Sequence, residues 1–373
     1  MIYADNAATT RLDDEALEAM LPWLRDEYAN PSQPYSFSRK AKKALSDARE
    51  NIASCIGAQP EEIYFTSGGT ESDNWAIKGS VYACDHKKSL IASAFEHHAV
   101  LNAAEALRGL KYSVQYVFPN SDGIVCADAL ASEIQDETGL ISVMMANNEL
   151  GTVQPISNLS EIAHTHGAIF HTDAVQAVGH IPVNVNALGV DLLSASAHKF
   201  NGPKGVGFLY IRKGTRVLPH ENGGSQERGL RAGTENIAGI IGMAEALSLN
   251  CKNLGENEAY VHKLELQLLR GLEASGVNYQ RNGISPFLPG LLSLSFPDFD
   301  GEAILHRMDL MGIAIATGSA CDSVNTRTSH VLQAIGLDNR FAKGTIRISL
   351  GKNNSSEEVD SIVAALKKIV KKH

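Results

Sequence analysis

Leu140-Ile141-Ser142-Val143-Met144, Ala168-Ile169-Phe170-His171 and Asp191-Leu192-Leu193-Ser194 are short apolar runs separated by helix-like sequence. Their length and near-continuous hydrophobicity predict strands buried on both faces, as in a parallel sheet covered by helices. Between the first two, Ile156, Leu159, Ile162 and Ala163 fall on one helical face, with Gly167 placed to stop that helix. Upstream, Glu62-Ile63-Tyr64-Phe65 and Ser89-Leu90-Ile91-Ala92 extend the alternation; downstream, Val206-Gly207-Phe208-Leu209-Tyr210 continues it. Residues from about 50 to 215 therefore read as an α/β domain with a mostly parallel sheet. In such sheets ligands collect at the carboxyl ends of strands.

Residues from about 236 to 275 turn helical, with Leu264, Leu266, Leu268, Leu269 and Leu272 among charges. The last third gives antiparallel-looking strands, Leu291 to Phe296 and Thr345 to Leu350, and reads as a smaller α+β domain. No repeat or low-complexity linker separates the parts, so they are expected to share an interface. A length of 373 residues suits two domains.

A formal charge of -9 with scattered Lys and Arg supplies no basic stripe for direct nucleic-acid binding. The apolar stretch 238–244 is cut by Glu245, far short of the ~20 residues that span a bilayer. Met1-Ile2-Tyr3-Ala4-Asp5-Asn6 shows neither a basic region nor an apolar core, so no export signal and a cytoplasmic location are expected. The cysteines at 55, 84, 126, 251 and 321 form no Cys-x-x-Cys pair, which argues against a zinc site or disulfide framework. Reduced thiols are expected, with all but Cys321 serving as packing.

Chemistry gathers at predicted strand ends. Thr66-Ser67-Gly68-Gly69-Thr70-Glu71-Ser72 follows one strand and opens a helix, where free amides and hydroxyls can bind phosphate. Taken alone, these residues read more commonly as a plain capped turn. Asp173, in Phe170-His171-Thr172-Asp173-Ala174-Val175-Gln176, ends another strand. It can cap the next helix, or hold a pyridinium nitrogen protonated. Lys199 closes Ser194-Ala195-Ser196-Ala197-His198-Lys199 ahead of the rigid turn Asn201-Gly202-Pro203-Lys204-Gly205. That setting suits a Schiff-base lysine beside a phosphate. Each signal is weak singly; their order at successive strand ends is not.

The chain resembles the cysteine desulfurases, class V members of the fold-type I pyridoxal-phosphate enzymes. The resemblance runs nearly end to end. It rests on Asp5 to Thr10, Thr66 to Asn74, Glu96-His97-His98-Ala99-Val100, Asn147-Asn148-Glu149-Leu150-Gly151, the Asp173 segment, Ser196 to Lys199, Glu227 to Thr234 and Gly318-Ser319-Ala320-Cys321. It implies a large α/β domain over residues 15–255 with a seven-stranded type of sheet. Residues 1–14 and 256–373 would form the small α+β domain. It also implies that Lys199 holds pyridoxal 5'-phosphate and shuttles the Cα proton. Asp173 would pair with the ring nitrogen and Gln176 with the ring hydroxyl. Gly69, Thr70, Ser196 and His198 would hold the phosphate, with Thr234 supplied by the second subunit of a homodimer. His97 would stack on the ring and move protons, Arg347 would fork onto the substrate carboxylate, and Asn148 would touch substrate and ring.

Cys321 lies in Thr317 to Ser329, small and polar with little to bury, which predicts a surface loop. The resemblance makes it the nucleophile that takes sulfur from L-cysteine as a persulfide. A sulfur-acceptor protein would then receive it: an iron–sulfur scaffold, a thiolation relay or a partner of another pathway. Many relatives dock a scaffold through a longer C-terminal tail than the one ending here at His373. The rival readings are a selenocysteine lyase, a transaminase or other class V enzyme, and a non-catalytic sulfur-relay component. An NAD dehydrogenase is a distant third for lack of the glycine fingerprint.

Two departures from the family pattern stand out. Tyr35 and Ser38 replace the His and Gly that usually follow Asn30-Pro31-Ser32, and Asp322 replaces a small neutral residue after the nucleophile. A neighbouring carboxylate disfavours the thiolate, and only the thiolate attacks. Asp322→Asn is therefore expected to raise activity at neutral pH and to shift the alkylation profile of Cys321 to lower pH. An unchanged or lower alkylation rate contradicts this.

Overall fold

The computed structural model describes residues 1–84, 87–318 and 328–370. In chain order the strands are β1 (Ile2–Tyr3), β2 (Ile63–Thr66), β3 (Ser89–Ser93), β4 (Ser113–Val117), β5 (Thr138–Ser142), β6 (Ile169–Asp173), β7 (Leu192–Ser196), β8 (Gly207–Ile211), β9 (Gln280–Arg281), β10 (Leu291–Ser295), β11 (Ile313–Ala314) and β12 (Thr345–Ser349). One seven-stranded sheet has the order β2-β8-β7-β6-β5-β3-β4. Within it β8 runs against β2 and β7, and the remaining pairs are parallel. The carboxyl ends of β2, β3, β5, β6 and β7 therefore share one edge. Every residue of β3, β5 and β7 is buried, which accounts for the continuous apolar runs.

Boundaries differ from the sequence reading where neighbours decide them. β5 starts earlier and ends at Ser142, yet the chain beyond it stays tied to β6: Val143 N donates to His171 O and Met145 N to Asp173 O. The edge strand β4 was not predicted, because a strand covered on one side shows a half-exposed pattern rather than an apolar run. The helical stretch after residue 236 is two helices, Ile237–Lys252 and Leu254–Ala274, meeting at Asn253.

The helix Gly69–Ala83 packs against β5, β6, β7 and β8 with its first turn at the carboxyl edge. On the far side, helices Asp14–Arg25 and Ser38–Ile56 pack against Ile237–Lys252. A second layer holds β12, β10 and β9 in antiparallel pairing, under helices Leu254–Ala274 and Ser356–Val370. Its core includes Leu264, Leu268, Phe296, Ile346 and Leu366. The N-terminal segment joins the layers: Ala4 belongs to this core and Ala7 to that of the large sheet.

Among the described residues no helix is long and apolar enough to cross a membrane, and no cluster suited to a metal ion is present. Cys55 and Cys251 pack against the core of the large sheet, as expected of packing thiols, and Cys126 departs from that expectation. Cys55, Cys84 and Cys251 are half-buried, and Cys126 is exposed at the start of the helix Ala127–Glu133.

Gly207 pairs with Thr66 on one side and Ser196 on the other, beneath the turn at Gly68. A Cβ there would press into the Ala195 carbonyl and come within 2.7 Å of the Gly68 Cα. Both obstacles are backbone, so they do not yield easily. Gly207→Ala is expected to cost about 1–3 kcal/mol in urea unfolding. A midpoint equal to the wild type contradicts this close approach.

Candidate active site

The carboxyl edge of the sheet opens into a cavity of about 400 Å³, within the size range of small-ligand sites. Asp173 enters it as the last residue of β6, Ser196 as the last of β7, and His198 and Lys199 from the 3-10 turn that follows. Gly69 and Thr70 reach it from the first turn of their helix, Gln176 from the turn after β6, and His97 from the cap of the helix His98–Gly109. Asn148 and Arg347 also line it. Thr234 is exposed and does not line this cavity. Cys321 lies outside the described residues, as does Asp322.

The N-terminal segment binds these groups together. Lys199 Nζ donates to Ala7 O at 2.5 Å and to Ala8 O at 2.9 Å. Gln176 Nε2 donates to the same Ala7 carbonyl at 2.9 Å. His198 Nδ1 lies 3.2 Å from Thr9 Oγ1, and Thr10 N donates to His198 O. Arg347, buried on β12, pairs through Nη2 with Asp5 Oδ1 at 2.7 Å and donates through Nη1 to Asn148 O at 3.0 Å.

Burial sets the charges. It raises the Asp173 carboxyl to about 6, against the Val175 N–H and the Lys199 charge, which both favour the anion. Burial also drives Asp73 well above the ordinary carboxylate range, and Asp173 and Glu96 push it further; only a hydrogen bond from Ser194 opposes them. Glu96 is pushed up to about 8 by burial, although Ser93 Oγ and Met144 N donate to its Oε1. Three buried carboxyls sharing one region cannot all ionise readily. Asp173 has the cation and the N–H, so it is the member that ionises first.

The histidines are neutral at pH 7. Burial, then Lys199, then His98 lower His97 to about 4, and burial lowers His198 to about 4, aided by Lys199 and Lys204. His97 Nδ1 accepts from Ala99 N at 3.1 Å, which leaves its ring proton on Nε2. Behind the cavity, His171 stands between Ser142 and Ser194 hydroxyls at 2.8 and 3.0 Å.

On the anion side, the helix amides at Gly69 and Thr70 lie beside Ser196 and His198. A Cβ on Gly69 would come within 2.7 Å of Val175 Cγ2, so glycine lets the turn after β6 close against this helix. Glu71 accepts from Arg231 at 2.8 and 3.2 Å and from Ser67 N, which ties down the loop.

Asp5, Ala7, Asp73 and Glu96 were given no role in the sequence reading. Asp5 and Ala7 lie in a segment singled out only for its resemblance, and Asp73 looked like an ordinary first-turn helix residue.

A family model for class-V aminotransferases matches residues 2–362. The chain belongs to the class-V aminotransferase family. Within it, the cysteine desulfurase IscS of Dictyoglomus turgidum is 47% identical over 373 residues, covering 100% of this chain and 95% of that protein. The cysteine desulfurase IscS of Clostridium botulinum (strain Hall) is 45% identical over 374 residues, covering 99% and 94%. A solved NifS-like protein superposes with a TM-score of 0.92 at 40% identity, covering 99% of this chain and 98% of that one. A second, SspA in complex with cysteine, gives 0.84 at 36% identity, covering 95% and 100%.

In this class-V chain Glu96 leaves a stability signature. The native carboxyl keeps its proton to pH about 8, whereas the unfolded one loses it near 4.5. Between those values folding takes up a proton, so this group's contribution to stability falls as pH rises. Glu96→Gln keeps the Oε1 acceptor and removes the slope. Its stability relative to wild type is expected to rise by about 1 kcal/mol or more between pH 5 and 8 in urea unfolding. A difference independent of pH contradicts the assignment.

Proposed function

We propose that this chain is a pyridoxal-phosphate-dependent cysteine desulfurase that converts L-cysteine to L-alanine while Cys321 takes the sulfur as a persulfide. One observation carries the reading: Lys199, Asp173 and the Gly69–Ser196–His198 anion cradle converge on one cavity, which Arg347 also lines. Relatives at 45–47% identity bear the name cysteine desulfurase, and the structural relative SspA holds cysteine.

The residues fit the cofactor. An amine, a buried carboxylate and a helix N-terminus answer an aldehyde, a ring nitrogen and a phosphate in turn. Buried Arg347 Nε has no hydrogen-bond partner among the described residues, as suits a site awaiting an anion. When bound, pyridoxal phosphate supplies an electron sink for charge developing at Cα.

Lys199 would hold the cofactor and move the Cα proton. Asp173 would keep a proton on the ring nitrogen, and Gln176 would bond the ring hydroxyl. His97, neutral with its proton on Nε2, would stack on the ring and exchange protons there. Thr70, Ser196 and His198 would bond the phosphate, with backbone from Gly69. Arg347 would take the substrate carboxylate and Asn148 would line its place. The Cys321 thiolate attacks the substrate sulfur; the carbon–sulfur bond breaks, its electron pair stays on Cβ, and that carbon takes a proton to become the methyl of alanine.

Several finer points belong to the same reading. Thr234, exposed and away from its own cavity, would complete the phosphate site of a second copy in a homodimer. Residues 15–255 would form the cofactor domain, and 1–14 with 256–373 the small domain. The persulfide would pass in the cytoplasm to an acceptor protein of iron–sulfur assembly or thiolation.

Purified holoprotein incubated with L-cysteine and a thiol reductant is expected to release alanine and sulfide in equal amounts. Lys199→Ala should lose at least ~10³-fold in rate, and Cys321→Ala should lose sulfide while keeping the cofactor. If neither product forms with cofactor bound, the reading fails.

A further inference from the structure

Arg347 is held at the cavity by two partners, Asp5 of the N-terminal segment and the Asn148 carbonyl. Asp5 forms a bridge to Ser349 on β12, two positions from the arginine. Its backbone is tied on both sides: Ser349 N donates to Ala4 O at 2.8 Å, Asn6 N to Ser349 O at 3.2 Å, and Ala7 N to Ser349 Oγ at 2.9 Å. Tyr3 Oη closes the turn, its one proton shared between Thr9 O at 2.8 Å and Asp5 O at 3.0 Å. A carboxylate on so fixed a backbone has few places to go. It takes one terminal nitrogen of Arg347, the Asn148 carbonyl takes the other, and Nε remains buried without a hydrogen-bond partner among the described residues.

Resting on the reading of Arg347 as the substrate-carboxylate group, we propose that Asp5 is a positioning residue that locks the guanidinium so its Nε edge is presented to the amino-acid carboxylate. A free arginine side chain has several rotamers to lose when it clasps a ligand, and prior locking removes that cost from binding. Asp5 does so at close range to a second carboxylate, which its own charge opposes. Its value on this account lies in the acceptor oxygen, not in the charge. Asp5→Asn keeps an acceptor for Nη2, whereas Asp5→Ala releases the guanidinium.

The test uses the holoenzyme and two readouts. Steady-state kinetics with L-cysteine should show Asp5→Ala raising KM about tenfold with kcat within about twofold of wild type. Asp5→Asn should return KM to within about threefold. Binding of glycine, followed through the cofactor absorbance, should weaken in parallel in Asp5→Ala, while L-cysteine methyl ester, which lacks the carboxylate, should show no change in KM. An unchanged KM in Asp5→Ala, a loss confined to kcat, or an equal loss on the ester overturns the proposal. Arg347→Ala separates the layers. If it raises KM while Asp5→Ala does not, the positioning role alone is wrong; if Arg347→Ala leaves KM unchanged, the carboxylate reading falls with it.

Discussion

The carbonyl oxygen of Ala7 accepts from both Lys199 Nζ and Gln176 Nε2, and the rest of the site is arranged around that shared acceptor. A backbone carbonyl has two lone pairs, so one atom can fix two side chains from different turns. Its neighbours extend the arrangement: Ala8 O takes Lys199 again, Thr9 meets His198, and Asp5 meets Arg347. Residues 5 to 10 thus link the carboxyl edge of the large sheet to β12 of the second layer.

Around that link the electrostatics divide the labour. Asp173, Asp73 and Glu96 are buried acids acting on one another's ionisation, and burial raises all of them. Asp173 alone has a nearby ammonium and a backbone N–H to favour its anion. One carboxylate is therefore available at the strand end while its neighbours stay protonated near neutral pH. The same burial keeps His97 and His198 uncharged, able to donate or accept without adding positive charge beside Lys199.

How much of this was legible in the sequence follows from the range of each interaction. Strands covered on both faces appear as apolar runs, so β3, β5, β6 and β7 could be read directly. The groups at their ends, Asp173, Ser196 and Lys199, followed from topology. Edge strand β4 is half-exposed and β9 only two residues long, so neither left a pattern, while β1 and β11 are defined by each other across about 310 residues of chain. Asp5 and Ala7 were invisible as site residues for the same reason: their contacts lie 342, 192 and 169 residues away. Asp73 and Glu96 were missed because sequence alone does not reveal that a charged residue is buried.

The central claim is that Lys199, held by the carbonyls of residues 7 and 8, is the amine that carries the cofactor. Borohydride reduction of the protein loaded with pyridoxal phosphate, followed by peptide mass mapping, tests it directly. A fixed cofactor mass is expected on the peptide containing Lys199 and is lost in Lys199→Ala. Attachment at Lys204 or another lysine, with Lys199 unmodified, would contradict it.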